Sequence, residues 1–108
     1  MKLNDYQQAT KATAIYNEDV ALVYTTLGLV SEAGEVADKI KKAIRDHESE
    51  IDDDRVEMVA LELGDVMWYV ARIADTLGLS LEYIAEKNLA KLNSRKDRDA
   101  IKGSGDVR

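Results

Sequence analysis

Two short segments of this sequence each place two carboxylates three residues apart, around a glycine. The segment SEAGEV contains Glu32 and Glu35, and the segment LELGDV contains Glu62 and Asp65. Residues three apart on an α-helix are separated by roughly 60° around the axis, so each pair projects from one face. Four converging carboxylates need a counter-charge, and an all-oxygen ligand set favours Mg²⁺ or Mn²⁺ over zinc. The repeated unit predicts a divalent metal site formed by these four acids.

The glycine inside each unit needs an explanation, because glycine costs about 1 kcal/mol relative to alanine in a helix interior. We expect Gly34 and Gly64 to let two helices approach closely and to leave room beside the acids. The alternative is a solvated acidic helix face, since 21 of the 108 residues are Asp or Glu. A di-iron carboxylate centre expects Glu-x-x-His pairs, whereas the single histidine, His47, lies in an acidic segment that we interpret as a loop. The repeat favours a metal site for hard cations.

Helices must position these acids, and the apolar periodicity predicts them. Asn4 and Gln7 resemble a capping box for a first helix, Gly78 suits the end of a third helix, and Ser80 suits the N-cap of a fourth. No segment alternates as a strand does, and the glycine-rich end is expected to be irregular. We predict one all-α, four-helix-bundle-like domain over residues 1–108, with two long antiparallel helices. The predicted helices cover residues 5–16, 20–45, 54–77 and 81–95.

Composition excludes several classes of protein. The chain has no cysteine, so it has no disulfide framework and no thiolate metal site. The polar start and the absence of an apolar run of about 20 residues predict a cytoplasmic protein without a membrane partner. A net charge of −6 argues against nucleic-acid binding. Residues 87–108 nevertheless carry 7 basic and 3 acidic residues, so this end could place cations beside an anionic ligand.

The distribution of apolar residues predicts an oligomer. Leu61 and Trp68 lie away from the centre of the apolar stripe on the third predicted helix, so that helix is apolar on more than one side. Helices of this kind are usually buried on both sides. We expect a homodimer or a dimer of dimers, with the third helix in the interface and the fourth reaching towards a site shared between subunits.

The acidic pattern resembles a known family. Glu-x-x-Glu, a spacer of 26 residues and then Glu-x-x-Asp resembles the defining motif of the MazG-like all-α nucleotide pyrophosphohydrolases. The segments YQQAT, GDVMWYVARIADTLG and NLAKLNSRKDR are also similar to segments of that family. The closing GSGD-x-R resembles the end of a short, single-domain branch. The resemblance covers most of the chain.

The resemblance implies an activity and roles for individual residues. The family hydrolyses nucleoside triphosphates to monophosphate and pyrophosphate with Mg²⁺, which the four acids would hold. One of these acids, Glu35, would orient or deprotonate the attacking water. Lys91 and Arg95 match family residues that contact phosphates, and Asn88 would reach the nucleotide. Many members have a further glutamate where this chain has Ser31.

Two other functions remain open at the level of sequence. The chain could be a non-catalytic helical interaction module whose acids are surface charges. It could also be a metal-dependent hydrolase of another phosphate compound, such as a phosphoribosyl nucleotide. The sequence does not select a base, choose between ribose and deoxyribose, or fix the number of metal ions.

Overall fold

The structure, a computed structural model, describes residues 1–108 and contains four α-helices and no β-strand. The helices are α1 (Leu3–Ala9), α2 (Ala21–Asp46), α3 (Asp53–Thr76) and α4 (Leu81–Asp97). Two short 3-10 turns, at Thr10–Thr13 and Glu18–Val20, connect α1 to α2. The prediction of an all-α fold with two long helices is confirmed.

The three longer helices begin and end close to the predicted positions because local signals define them. The Asp52 side chain accepts a hydrogen bond from the backbone N–H of Arg55 (2.9 Å) at the start of α3. Ser80 caps α4 in the same way, through the N–H of Tyr83 (3.1 Å). Between these helices Gly78 has φ +71°, which a glycine adopts without strain.

The first helix is shorter than predicted. It ends at Ala9 and continues only as a 3-10 turn, whereas we expected a helix over residues 5–16. The supposed capping residues serve another helix. The side-chain oxygens of Asn4 and Gln7 accept the N–H groups of Glu82 (3.1 Å) and Leu81 (2.9 Å), at the start of α4. These long-range bonds satisfy orphan donors of α4 and attach it to α1.

Helices α2 and α3 form an antiparallel hairpin that carries both acidic units. Gly28 of α2 lies against Tyr69 of α3, and further along α2 the Lys39 side chain contacts Glu62 of α3. The contacts therefore run in opposite directions along the two helices. A Cβ on Gly28 would fall 2.1 Å from the Tyr69 ring. This glycine is the one that the helix packing requires.

The N-terminal segment packs over α3 through a buried arginine. Arg72 of α3 donates hydrogen bonds to the hydroxyls of Thr10 (3.2 Å) and Tyr16 (3.2 Å) and to the carboxylate of Asp75 (2.9 Å). Burial of an arginine is tolerated when its donors are paired in this way. One turn earlier on α3, the Trp68 indole N–H donates to Thr13 (2.7 Å). The segment after α1 is therefore fixed beside the acidic unit of α3.

A single chain leaves much of its apolar surface uncovered. Only five hydrophobic residues are buried. The Cα radius of gyration is 16.8 Å, whereas a compact chain of this length has about 13 Å. On α2, Val23, Leu27 and Val30 are exposed at spacings of three and four residues, and Leu61 of α3 is 72% exposed. Helix α2 therefore has an apolar face that no part of the same chain covers.

Helix α2 is also the one segment that resembles a membrane span. By length and composition alone, Glu18–Asp46 is long and apolar enough to cross a bilayer. Core helices of soluble proteins can have the same length and composition, so this resemblance alone does not indicate a membrane span. In the structure this helix packs against α3 and carries Glu32 and Glu35 near its middle.

Candidate active site

Three of the four predicted acids meet between α2 and α3. Glu32 on α2 faces Glu62 and Asp65 on α3, and one carboxylate oxygen from each lies within 4.8 Å of the others. The spacing of three residues puts both α3 acids on the side that faces α2, and the antiparallel hairpin brings Glu32 opposite them. We call these three residues the acidic cluster. Its all-oxygen donor set is of the kind that binds Mg²⁺ or Mn²⁺.

The fourth predicted acid, Glu35, lies outside the acidic cluster. It is exposed and sits near Lys39 one turn further along α2, with 3.9 Å between the charged atoms. The same ammonium lies 3.3 Å from a carboxylate oxygen of Glu62. We attributed no site role to Lys39 from sequence, although its i,i+4 spacing from Glu35 was a visible signal. Lys39 bridges the two helices and is the one cation paired with the acids.

One lysine does not balance the negative charge of these acids. The pKa of Glu32 is raised, first by burial and then by the negative charges of the other three acids. Burial and the charge of Asp65 raise the pKa of the Tyr6 hydroxyl. The pKa of Tyr69 is also raised, mainly by burial, then by its neighbour Tyr24, and more weakly by the acids. Burial is the main cause of these shifts, and the smaller contribution of the neighbouring carboxylates indicates a local negative potential that a bound cation would relieve.

The two glycines of the acidic units do not have the packing role that we expected. A Cβ added to Gly34 or Gly64 would meet no atom within 4 Å. Neither glycine therefore lets α2 and α3 approach more closely, and that prediction is wrong. Both positions instead leave open space beside the acids. The backbone carbonyl of Gly64 accepts a hydrogen bond from the Tyr6 hydroxyl (3.5 Å).

Two aromatic side chains, Trp68 and Tyr69, which we call the aromatic group, lie next to the acidic cluster. A cavity of about 410 Å³ is lined by two of its acids together with Thr13, Trp68 and Tyr69. The Trp68 and Tyr69 rings pack edge to face with centroids 4.9 Å apart. Tyr16 stacks on Tyr24 (5.2 Å) behind them and makes an edge contact with Trp68. The site thus combines carboxylates with flat apolar surfaces.

The predicted phosphate contacts of α4 lie elsewhere in the chain. Asn88 and Lys91 line a cavity of about 610 Å³ with Tyr83 and Lys87, and this cavity shares no residue with the one at the acidic cluster. Arg95 is buried, and its guanidinium donates to Gly105 and Asp106 in the loop that follows α4. A single chain therefore does not bring the cations of α4 to the acids.

Comparisons with known proteins indicate the family to which the chain belongs. The model of the MazG nucleotide pyrophosphohydrolase domain matches residues 23–98, which include all four predicted acids. The chain is also similar to "Gene 37 protein" of Mycobacterium phage L5, with 46% identity over 114 aligned residues that cover 100% of both chains. No solved structure matches it. Since the family match spans well over half of the sequence, the chain belongs to the MazG nucleotide pyrophosphohydrolase family.

Proposed function

We propose that this protein hydrolyses nucleoside or deoxynucleoside triphosphates to the monophosphate and pyrophosphate, in a reaction that depends on Mg²⁺. The observation that carries the proposal is the acidic cluster, in which three carboxylate oxygens from two helices lie within 4.8 Å of one another. A triphosphate has about four negative charges, so such a site would accept it only through a cation. The family match favours this reading over a non-catalytic interaction module.

Glu32, Glu62 and Asp65 would hold the cation. Their oxygens suit Mg²⁺, with Mn²⁺ as a substitute, and their mutual repulsion fits a site built to receive positive charge. When bound, a divalent cation would screen the phosphates and stabilise the charge that develops on phosphorus. We assign Glu35 to the metal site as a further acid and to the activation of the attacking water. Its exposed carboxylate, one turn from Glu32, would orient or deprotonate water at the edge of the cluster.

The aromatic group would receive the nucleoside. Trp68 and Tyr69 line the same cavity as Glu32 and Asp65. A base stacked on an aromatic face gains about 1–3 kcal/mol with little dependence on its identity. We therefore place the base against Trp68 and the phosphates towards the acids.

A second copy of the chain would supply the phosphate-binding cations. Asn88 and Lys91 line a cavity away from the acids of their own chain, so α4 of one subunit would complete the site of another. The exposed apolar face of α2, which includes Val23, Leu27 and Val30, supports a homodimer or a dimer of dimers. Arg95 would contact phosphate beside Lys91 once its present partners leave.

Product analysis tests the proposed reaction. The protein would be incubated with Mg²⁺ and a panel of ribonucleoside and deoxyribonucleoside triphosphates plus one phosphoribosyl nucleotide. Phosphorus NMR separates pyrophosphate from orthophosphate. We expect equal amounts of monophosphate and pyrophosphate, with no product from Asp65→Asn. Release of orthophosphate and diphosphate would contradict the proposal. Turnover of the phosphoribosyl nucleotide alone would assign the site to that substrate class.

A further inference from the structure

The end of the sequence forms a closed loop rather than a loose terminus. We call residues 101–108 the GSGD loop. The Arg108 guanidinium donates hydrogen bonds to the backbone carbonyls of Ala100 (3.2 Å), Ile101 (2.9 Å) and Gly105. The carbonyl of Arg108 in turn accepts a hydrogen bond from the Arg98 side chain (2.6 Å). The arginine thus ties the end of the loop back to its beginning and to α4.

The glycines of the GSGD loop are required by this closure. Gly103 has φ +132°, and a Cβ there would lie 3.0 Å from Cδ of Arg108. Gly105 has φ +80°, in the left-handed region that favours glycine. The family match ends at residue 98, so the whole loop lies outside the matched domain. Its glycines therefore support a specific conformation of residues outside the matched domain.

The loop presents a carboxylate to the cations of α4. An Asp106 oxygen lies 3.0 Å from the ammonium of Lys91 and 3.5 Å from the guanidinium of Arg95. The Arg95 side chain is 5% exposed, its Nε has no partner, and its other contact is with the Gly105 carbonyl (3.2 Å). Asp106 itself is 81% exposed. The two cations thus share one anion position on the surface, which the chain itself fills.

The contact of Asp106 with Lys91 and Arg95 is weak enough for another anion to replace the carboxylate. Lys91, and to a lesser extent Arg95, lower the pKa of Asp106, so the carboxylate stays ionised at neutral pH. Ion pairs between exposed side chains contribute little to stability, because solvent screens them. A phosphate group carries more charge and more acceptor oxygens than a carboxylate, and arginine binds phosphate especially well. An incoming phosphate can therefore compete with Asp106.

We propose that Asp106 is an internal competitor, whose carboxylate occupies the position that a substrate or product phosphate takes between Lys91 and Arg95. The GSGD loop holds it there until a phosphate replaces it. The assignment of that phosphate to a nucleotide rests on the proposed function. The competition itself concerns only the cations, the loop and an inorganic anion. Asp106 would then weaken nucleotide and pyrophosphate binding at this site and would limit product retention.

Pyrophosphate binding in the presence of a chelator tests the competition without hydrolysis or metal. Isothermal titration would compare wild type with Asp106→Asn, which keeps the size of the side chain and removes its charge. We expect Asp106→Asn to bind pyrophosphate about three- to fivefold more tightly, as expected for release of one exposed ion pair. Asp97→Asn makes the same charge change at the end of α4 without a contact to either cation and should change the affinity much less.

Two further variants separate competition from a general charge effect. Arg108→Ala opens the GSGD loop while removing a positive charge, so simple electrostatics predicts weaker pyrophosphate binding and the proposal predicts tighter binding. Lys91→Ala combined with Asp106→Asn should gain less over Lys91→Ala alone than Asp106→Asn gains over wild type, because only the contact with Arg95 is then released. The proposal is overturned if Asp106→Asn binds pyrophosphate no better than Asp97→Asn, or if Arg108→Ala binds it more weakly than wild type. Either result could occur in a protein that still hydrolyses nucleotides, so the two proposals fail separately.

Discussion

The acidic cluster and the basic end of α4 differ in how their charge is balanced. At the cluster, only Glu62 of the three acids pairs with a cation, the ammonium of Lys39, and the pKa of Glu32 is raised first by burial and then by the neighbouring negative charges. At the end of α4, Lys91 and Arg95 face Asp106 and a backbone carbonyl. The first region is left with excess charge within the chain, and the second is largely compensated.

This difference indicates that the acidic cluster, rather than the basic end of α4, requires a charge from a bound ion. A rigid helix hairpin holds the acids together in spite of their repulsion, and such an arrangement is retained most readily where a cation binds. The basic region needs no external ion for its stability, because the GSGD loop supplies an anion, Asp106. A nucleotide with its metal would therefore complete the first region and exchange with Asp106 in the second. The predictions below change one region at a time.

The largest effect is expected from removing charge at the acids. Asp65→Asn and Glu35→Gln keep the size of each side chain and should lower turnover to less than about a tenth of wild type, because a metal ligand or the water-activating group loses its charge. Steady-state kinetics with Mg²⁺ would measure this loss. Glu57→Gln, an exposed position on α3, is the matched control. Turnover above a tenth of wild type in either variant, with the fold intact, would count heavily against the site.

The next effect concerns the basic region. Lys91→Ala should lower kcat/KM about ten- to a hundredfold, because a charge-assisted contact to phosphate is lost. Mg²⁺ binding should be unchanged, since the ammonium of Lys91 cannot be a metal ligand. Lys96→Ala, an exposed lysine of the same helix, should have little effect. A loss of Mg²⁺ affinity with unchanged nucleotide affinity would show that the assignment is wrong.

Mixing two impaired chains tests whether the regions meet across subunits. Glu62→Gln damages the acidic cluster and Lys91→Ala damages the basic region. In a dimer with shared sites, half of the sites in a mixed pair are intact, so an equal mixture should recover about a quarter of wild-type activity. Light scattering should show at least a dimer at micromolar concentration. Absence of recovery after proven subunit exchange would place each site within one chain, and an active monomer of 12.0 kDa would contradict the assembly.

The smallest effect is on stability. Glu32→Gln should raise the melting temperature of the metal-free protein at pH 7, because burial and neighbouring negative charges destabilise the ionised form of Glu32. A raised carboxyl pKa means that protonation relieves this penalty as the pH falls, so the advantage should shrink towards about pH 4. Mg²⁺ should reverse the order by stabilising wild type by about 2.7 kcal/mol at a hundred times Kd. A variant less stable than wild type without metal would contradict the account.

Much of the fold could be predicted because the relevant signals are local. Helices α2, α3 and α4 have clear periodicity, and Ser80 and Gly78 mark boundaries through short-range chemistry. The predicted length of α1 was wrong for a physical reason. Asn4 and Gln7 form hydrogen bonds to the start of α4, about 75 residues away, and no local pattern indicates that partner.

The candidate site could be predicted only in part, because spacing along one helix shows which residues share a face and not what they contact. The i,i+3 spacing correctly indicated that Glu62 and Asp65 share a face, but it could not show that Glu35 would turn towards Lys39 instead of the other acids. The packing role that we gave to Gly34 and Gly64 belongs to Gly28, whose neighbour Tyr69 comes from another helix. Tertiary contacts of this kind are not encoded in spacing along one segment.

Hydrolysis in ¹⁸O-labelled water tests the central claim most directly. If the protein activates water for attack at the α-phosphorus, mass spectrometry should find one ¹⁸O atom in the nucleoside monophosphate and none in the pyrophosphate. The reaction should require Mg²⁺ or Mn²⁺ and should be lost in Asp65→Asn. Label in the pyrophosphate would show attack at the β-phosphorus, and label incorporation without a divalent metal, or in Asp65→Asn, would contradict a reaction at the acidic cluster.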